Sequence, residues 1–339
     1  MNTSSTVLSA ILASVLTASA TGCSGGSPSQ ASIPLGPSPI QTHSLKDLAR
    51  SGRSPKALLL LQFANAVPHA VEAARNTGLK DLYISGYVPE DVTVVKNTTY
   101  KNVGTITKGL VSPDGDFVDA AGNLYVADYD AVDVQEYKPG GKSPSFTYNA
   151  GMVDPVNVSV DSHGNVYEAD YDGHEVNEYV QKTDTVVNSC RLSGFAEGVA
   201  VDANNDVFVT YNETVSGTGK IVEYKGGLAG CNKTSFNIAL DFAGGIALDA
   251  KGNLIVCDEN APAVDVIAPP YSTIKKQLGS GYMTPFHVTL NKSNKRAFVA
   301  DTYDVYVHNY PSGSLAATIG SADGLTYPAG AVDSENAVY

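Results

Sequence analysis

The stretch GNLYVADYDAVDVQEY (Gly122–Tyr137) recurs 42 positions later as GNVYEADYDGHEVNEY (Gly164–Tyr179). The acidic residue that precedes each stretch also recurs, at Asp119, Asp161, Asp202, Asp249 and Asp333, with Asn291 in its place once. Successive anchors are separated by 42, 41, 47, 42 and 42 residues. A period in the forties built from short β-rich segments indicates repeat architecture, and the blade of a β-propeller fits it best.

Each repeat contains four short apolar segments, which are separated by turns rich in Gly, Asn and Asp, as expected for one four-stranded blade. Gly122, Gly164 and Gly252 stand where the turn between the first two strands needs a positive φ. LYISGY, which contains Tyr83, is a second strand with no first strand before it, whereas PAGAVD at 328–333 is a first strand alone. We therefore predict an all-β, six-bladed propeller over residues 82–339 that is closed by the C-terminal strand.

The first 81 residues are predicted to lie outside the propeller. VLSAILASVLTASA (Val7–Ala20) is 14 residues long, too short for a transmembrane helix and typical of a signal peptide over 1–22. Two cleavage patterns compete: ASA fits ordinary signal peptidase and secretion, whereas ATGC resembles a bacterial lipobox that ends in Cys23, the candidate lipidation site. An unprocessed chain is the third alternative. Residues 23–42 have the composition of a Ser/Gly/Pro-rich tether, and 43–81 are expected to form a partly helical extension.

The charge balance limits the partners. The chain has 35 acidic and 22 basic residues and a net charge of −13, which argues against nucleic acid, because that partner needs a basic face. We expect a protein, peptide or carbohydrate ligand, and contact with a membrane only through the lipid anchor. The expected location is the cell envelope, at a membrane surface or in the periplasm, with simple secretion as the alternative.

The other three cysteines have separate interpretations. Cys257 stands where other repeats carry Ala, so it is expected to be a small buried side chain. Cys190 and Cys231 flank the fourth repeat, and they form a possible disulfide in an oxidising compartment if neighbouring blades bring them close enough.

The segments EGVAVDANNDVFVT and GGIALDAKGNLIVCD resemble NHL repeats, and the resemblance covers roughly residues 82–339. In its overall sequence pattern the chain is similar to uncharacterised bacterial propeller lipoproteins. More distantly, it resembles the gluconolactonase and senescence-marker-protein group of metal-dependent lactone hydrolases. The resemblance implies that ligands bind where the first strands open on one end of the channel. It does not name the function, because propellers with NHL repeats serve many functions.

Four residues at the starts of first strands depart from the repeated pattern: Asp114, Asn157, Glu197 and His287. If they converge on the channel mouth, their oxygen and nitrogen atoms suit Ca²⁺, or a softer divalent ion if His287 takes part. The gluconolactonase resemblance implies a similar Glu, Asn and Asp set. The alternative is that these side chains cap turn N–H groups or bind water.

Tyrosines recur beside the turn after the second strand. Tyr87, Tyr129 and Tyr171 follow that strand in three consecutive blades, Tyr303 lies one position further in blade six, and Tyr211 takes the position of the repeated Asp in blade four. A surface of tyrosines among carboxylates suits a sugar or peptide ligand, because each ring offers apolar area and a polar tip. The alternative is packing between blades. The repeated Asp128, Asp170, Asp258 and Asp301 are expected to stabilise the turn.

These observations favour a cell-envelope propeller lipoprotein that binds a ligand or protein partner at the channel mouth without catalysis. The alternative is a divalent-metal-dependent lactonase or hydrolase of gluconolactonase type. No cofactor follows from the sequence other than possible calcium at the four residues above.

Overall fold

A computed structural model describes residues 80–215 and 217–336 of the chain. The predicted signal peptide, Cys23, the tether and all but the last two residues of the 43–81 extension lie outside the described residues. Within the described ranges the chain forms six four-stranded antiparallel sheets and two single-turn 3-10 helices, Ala229–Cys231 and Ser321–Asp323.

The strands follow the repeat. Blade one is built from β1 (Asp81–Gly86), β2 (Asp91–Lys96), β3 (Asn102–Ile106) and the C-terminal β24 (Val332–Asp333). Blade two has β4 (Pro113–Val118), β5 (Leu124–Asp128), β6 (Asp133–Tyr137) and β7 (Pro144–Tyr148), and blade three has β8 (Pro155–Val160), β9 (Val166–Asp170), β10 (Glu175–Tyr179) and β11 (Val186–Arg191). Blade four has β12 (Phe195–Val201), β13 (Val207–Thr214), β14 (Gly217–Tyr224) and β15 (Lys233–Leu240). Blade five has β16 (Ala243–Leu248), β17 (Leu254–Asp258), β18 (Ala263–Ile267) and β19 (Ile274–Gln277), and blade six has β20 (Pro285–Leu290), β21 (Arg296–Asp301), β22 (Val305–Asn309) and β23 (Leu315–Ile319).

The ring closes as predicted. The short strand β24 pairs antiparallel with β1, placing Asp333 opposite Leu82 and Val332 opposite Tyr83. This pairing supplies the first strand that blade one lacks and covers the edge of β1, which removes an unpaired sheet edge. The prediction of an all-β, six-bladed propeller closed by the C-terminal strand is confirmed.

The hydrophobic core lies between blades. Each of the six blade junctions in the described chain contains one cluster of buried apolar side chains. Tyrosines at the ends of third strands complete two junctions: the Tyr137 hydroxyl donates to the Lys108 carbonyl at 2.8 Å, and the Tyr179 hydroxyl donates to the Ala150 carbonyl at 3.0 Å. A buried ring therefore contributes apolar area while its hydroxyl satisfies a loop carbonyl.

The anchor residues of the repeat form the turns between first and second strands. Asp119 accepts hydrogen bonds from the Ala121 and Asn123 N–H groups at 2.9 and 2.8 Å, which holds the tight turn. The glycine between these two positions has a φ of 84° at Gly122, and the equivalent glycines have 84° at Gly164 and 74° at Gly252, as the sequence predicts. The near-identity of the two quoted stretches thus reflects the same turn and strands in adjacent blades.

The chain beyond β24 contacts blade six and the wall of the channel. Lys292 in blade six donates its N–H to the Glu335 carbonyl at 2.7 Å, and Asn336 pairs with Asn291 in an isolated bridge. The side chain of Asn336 is buried and lines the channel cavity. Residues 335 and 336 therefore continue past the closing strand to the wall of the channel.

Candidate functional site

A cavity of about 330 Å³ opens where the first strands begin, which we call the mouth cavity. Two positions of the repeat supply most of its lining. The second residue of the first strand, or its equivalent in that repeat position, contributes Asp114, Val156, Glu197, Phe286 and Ala329, and the residue after the second strand contributes Tyr87, Tyr129, Tyr171 and Glu259. Asn157, Phe242 and His287 complete the described lining.

A β-bulge explains why the second residue of each first strand faces the mouth. In blades two to six the pairing between the first and second strands shifts register just after the first strand begins. In blade two, for example, Pro113 lies opposite Asp128, but the next paired residue is Asp116. A bulge leaves the intervening residues unpaired and redirects their side chains, so Asp114 lines the mouth cavity.

The repeated aspartates at the ends of second strands stabilise the mouth without lining it. The Asp128 carboxylate accepts from the Val111 and Ser112 N–H groups at 2.7 and 2.8 Å. Asp170, Asp258 and Asp301 each accept in the same way from two consecutive N–H groups ahead of their own first strands. These bonds fix the loop that enters each blade, which is the structural role expected from their recurrence.

Three carboxylates from three blades share the mouth cavity: Asp114, Glu197 and Glu259. Burial raises the pKa of Asp114 to about 7, although a hydrogen bond from the Tyr87 hydroxyl at 2.7 Å opposes the shift. Burial and the charge of Asp114 raise the pKa of Glu259 to about 8. Burial, together with the charges of Glu259 and Asp114, also raises the pKa of Glu197 well above its ordinary value. Repulsion among the three groups therefore favours a partly protonated cluster.

A buried amide holds Glu197 in place. Asn212 donates from Nδ2 to Glu197 Oε1 at 3.3 Å and to the Ala243 carbonyl at 3.0 Å, and its Oδ1 accepts from the Ala243 N–H at 2.9 Å. Asn212 is fully buried and belongs to blade four, whereas Ala243 begins blade five. This side chain therefore links two blades at the mouth and orients the carboxylate between them.

Below the mouth lies a narrower channel cavity of about 40 Å³, which Asn157 and His287 line together with Asp116. Asn157 Oδ1 accepts from the Val199 N–H at 3.2 Å. His287 Nδ1 lies 3.9 Å from Asp116 Oδ1, and neither atom has a hydrogen-bond partner, although both are buried. Burial lowers the pKa of His287 to about 4 and raises that of Asp116 well above its ordinary value, so burial favours the neutral form of both groups.

The four residues predicted to bind a metal all line the mouth cavity, but they differ in depth. Asp114 and Glu197 border the mouth cavity and not the channel cavity, whereas Asn157 and His287 border both. Across residues 80–215 and 217–336, no group of three or more His, Cys, Asp or Glu side chains has an arrangement that could hold a metal ion. Calcium binding therefore stays a prediction.

Three of the five predicted ligand-binding tyrosines lie in the mouth cavity: Tyr87, Tyr129 and Tyr171. Tyr211 is only 5% exposed and packs in the cluster between blades three and four, because it occupies the position of the repeated Asp and not the one after it. Tyr303 lies one position further along its turn and is 48% exposed, with its ring 5.1 Å from that of Tyr327. These two tyrosines lie outside the cavity lining, so the five do not form one surface.

Several residues of the site were not predicted as ligands. Glu259 occupies the same repeat position as Tyr87, Tyr129 and Tyr171, so comparison of that position across blades is the signal that identifies it. Asp116 stands where other first strands carry Val, Ile or Ala, and an acidic residue at a buried apolar position is a similar signal. Phe242 precedes its first strand and has no counterpart in the repeat that would have identified it.

Cys190 and Cys231 form a disulfide between blade three and the loop of blade four, with a Cα–Cα distance of 5.4 Å. Cys190 lies in β11, and Cys231 ends a single-turn helix in the β14–β15 connection. Cys257 is a buried free thiol in the core between blades five and six, in agreement with its interpretation as a small apolar side chain.

The fold and the site define a six-bladed β-propeller with an acidic, aromatic cavity at one end of its channel. No protein-family model and no curated protein matches the chain. Among solved structures, a chain of the nidogen/laminin complex is 15% identical with a TM-score of 0.59, and the match covers 75% of this chain and 98% of that one. A protein of unknown function from Bacteroides caccae is 11% identical, with the same TM-score and coverage. At such identities the likeness shows the fold alone.

The described residues contain no helix that is both long enough and apolar enough to cross a lipid bilayer.

Proposed function

We propose that this chain is a cell-envelope propeller that binds a ligand or protein partner at the mouth cavity without catalysing a reaction. The observation that carries the proposal is the mouth cavity itself: about 330 Å³ lined by three tyrosines, two phenylalanines and three carboxylates. Concave sites with aromatic walls and a few convergent polar groups are typical ligand sites. Tyrosine rings and carboxylates suit a protein, peptide or carbohydrate, because they offer apolar area beside hydrogen-bonding groups.

The envelope location is the second part of the proposal, and it rests on the sequence. The lipobox-like ATGC, the Ser/Gly/Pro tether and the likeness to NHL-repeat propeller lipoproteins support lipidation at Cys23. The test is fractionation of cells that express the full chain or the variant Cys23→Ser. The variant should move from the membrane fraction to the soluble fraction, whereas unchanged partitioning would favour simple secretion.

The binding proposal is tested by a thermal-shift screen of the full chain against peptides, saccharides and small metabolites. Tyr171→Ala removes a ring from the mouth cavity, and Tyr303→Ala is the matched control because that exposed ring lies outside it. A ligand at a hundredfold excess over its Kd stabilises the native state by about 2.7 kcal/mol. A genuine mouth ligand should raise the Tm of wild type and Tyr303→Ala but not that of Tyr171→Ala. Ligands that shift both variants equally would contradict binding at the mouth.

A metal-dependent lactonase is the second candidate, because Asp114, Asn157, Glu197 and His287 all border one cavity. The fit to a metal is partial, since Asn157 Oδ1 already accepts from the Val199 N–H and Asp114 is engaged by Tyr87. In this proposal Asp114 and Glu197 would supply the oxygen ligands that Ca²⁺ prefers. The ion would polarise a lactone carbonyl.

The test of the second candidate is the melting temperature with Ca²⁺, with other divalent ions and with a chelator. A resident metal predicts a higher Tm with the ion and a lower Tm with the chelator, and Glu197→Ala should abolish both effects. If neither the ions nor the chelator changes the melting temperature, the four residues line the cavity without binding a metal, and the lactonase proposal fails.

A further inference from the structure

Charge is distributed unequally between the two ends of the propeller. The mouth face comprises the connections from second to third strands and from each blade to the next. In the described part of these connections, eight carboxylates stand against one basic residue, Lys108. In the described connections on the opposite face, eight basic residues stand against six carboxylates. The field at the mouth therefore attracts cations, and it does so more strongly than the net charge alone implies.

Three carboxyl groups of the mouth face and the adjoining first strands lie together in the mouth cavity. Asp114, Glu197 and Glu259 project from three different blades, and no Lys or Arg is among the described residues that line the cavity. A carboxylate removed from water needs a counter-charge or donors. Among the described side chains, the Tyr87 hydroxyl donates to Asp114 and the Asn212 amide donates to Glu197. The surrounding rings add a second attraction for positive charge, because the face of an aromatic ring carries a negative potential.

The floor of the mouth cavity supplies an independent observation. His287 borders both cavities and is only 5% exposed, and Asp116 is fully buried beside it. His287 Nδ1 and Asp116 Oδ1 lie 3.9 Å apart and lack hydrogen-bond partners, which is rare for buried polar atoms. A nitrogen with two N–H groups, placed about 2.9 Å from each atom, would bond to both. An ammonium group carries three such donors.

We propose that the ligand of the mouth cavity is a small organic cation with at least one ammonium group. The inference rests on the proposed binding function and names the chemical class of its ligand. One ammonium group donates to Asp116 and His287 at the floor, and further positive charge lies among Asp114, Glu197 and Glu259. The carbon chain of the ligand contacts the rings of Tyr129 and Tyr171.

The test uses three probes with the same six-carbon skeleton and different charges: 1,6-hexanediamine, 1,6-hexanediol and adipate. Isothermal titration of the full chain at 0.15 M salt should show binding of the diamine, at least tenfold weaker binding of the diol, and no binding of adipate. At this salt concentration charges beyond about 8 Å are largely screened, so the probes report on the cavity more than on the distant field. Equal binding of diol and diamine would overturn the inference.

A pair of charge-neutralising variants locates the site. Glu259→Gln should weaken diamine binding at least tenfold, whereas Glu90→Gln, an exposed carboxylate on the mouth face outside the cavity lining, should change it less than twofold. Equal effects of the two substitutions would overturn the inference, because they would indicate attraction by the whole face. Glu259→Gln removes a carboxyl group whose pKa is raised to about 8 in the free protein and whose ionised form a bound cation would stabilise. The melting curve of this variant, recorded alongside, is expected to remain cooperative.

The ligand screen distinguishes failure of the cation inference from failure of the proposed binding function. If a neutral or anionic ligand binds in a manner that depends on Tyr171 while no amine binds, the cation inference fails and binding at the mouth stands. If no probe of any charge binds in that manner, both fail.

Discussion

The Ser334 hydroxyl accepts a hydrogen bond from the Asp81 N–H at 3.1 Å, across 253 positions of sequence. The Asp81 carbonyl accepts in turn from the Ser334 N–H at 2.8 Å. Together with the two residue pairs between β1 and β24, these bonds connect the beginning and the end of the propeller. The ring therefore depends on a very short closing strand, in which Val332 is fully buried.

Removal of residues 326–339 should destabilise the whole ring, because it leaves β1 as an unpaired edge and opens the junction cluster that contains Val332. We expect the Tm, followed by circular dichroism, to fall by about 10 °C or more, since several kcal/mol are lost. A synthetic peptide of residues 326–336 should restore part of the loss, and the same peptide with Val332→Asp should not. An unchanged melt of the truncated protein would show that closure contributes little.

The disulfide should contribute about 2–4 kcal/mol, as expected for a cross-link that encloses a loop of 41 residues. The double variant Cys190→Ala/Cys231→Ala should therefore unfold at lower denaturant than wild type. Reductant should lower the midpoint of the wild type and of the control Cys257→Ala but leave the double variant unchanged. A reductant effect that persists in the double variant would point to another cause.

Stability should depend on pH through Glu259. Its ordinary pKa of 4.5 is raised to about 8 in the folded protein, so the folded state holds a proton that the unfolded chain has lost. The free energy of unfolding therefore falls as pH rises from 4.5 to 8 and is unaffected by this group below pH 4.5. Glu259→Gln should be more stable than wild type by about 2 kcal/mol at pH 8, after allowance for partial exposure to water, and equal to it at pH 4.

The difference between the variant and wild type is the quantity to measure, because other groups titrate in the same range. Asp114, with its pKa raised to about 7, acts in the same direction as Glu259. His287, with its pKa lowered to about 4, acts in the opposite direction between pH 4 and 6.5. Glu90→Gln is the control, and a pH-dependent gain of the same size in that exposed position would contradict the assignment to Glu259.

Asn212→Ala should cost about 2 kcal/mol, because it leaves the buried N–H and carbonyl of Ala243 without their partner and releases Glu197. Urea unfolding measures this loss. The control is Asn149→Ala, since the side chain of Asn149 is exposed and its backbone N–H makes the bond to Asp184. Equal midpoints for the two variants would show that the link between blades four and five is unimportant.

The repeat in the sequence was sufficient to predict the architecture, including the closing strand. Period, turn glycines and strand alternation are local features, and each blade must satisfy the same turns and the same packing. Comparison of equivalent repeat positions also identified Asp114, Asn157, Glu197 and His287, all of which border the mouth cavity. The comparison led to this cavity because residues at equivalent positions of a closed ring lie at similar heights along the channel; metal binding by these four residues stays a prediction.

The composition of the site was harder to predict, because small shifts along the chain change which way a side chain points. Tyr211 and Tyr303 stand only one position away from the position that faces the cavity, yet the first is buried between blades and the second is exposed outside it. The register shifts at the starts of the first strands have a similar effect on Asp114 and its counterparts. Single-residue offsets of this kind are not apparent from periodicity alone.

The sequence by itself determined the number of blades, the order of the strands and the acidic character of the chain, since these follow from repetition and composition. Only the tertiary structure decided that Asp116 and His287 face each other and that Asp114, Glu197 and Glu259 crowd one cavity. The reason is physical: distances between side chains of different blades depend on how the ring closes. The raised and lowered pKa values of these groups depend on burial and on those distances.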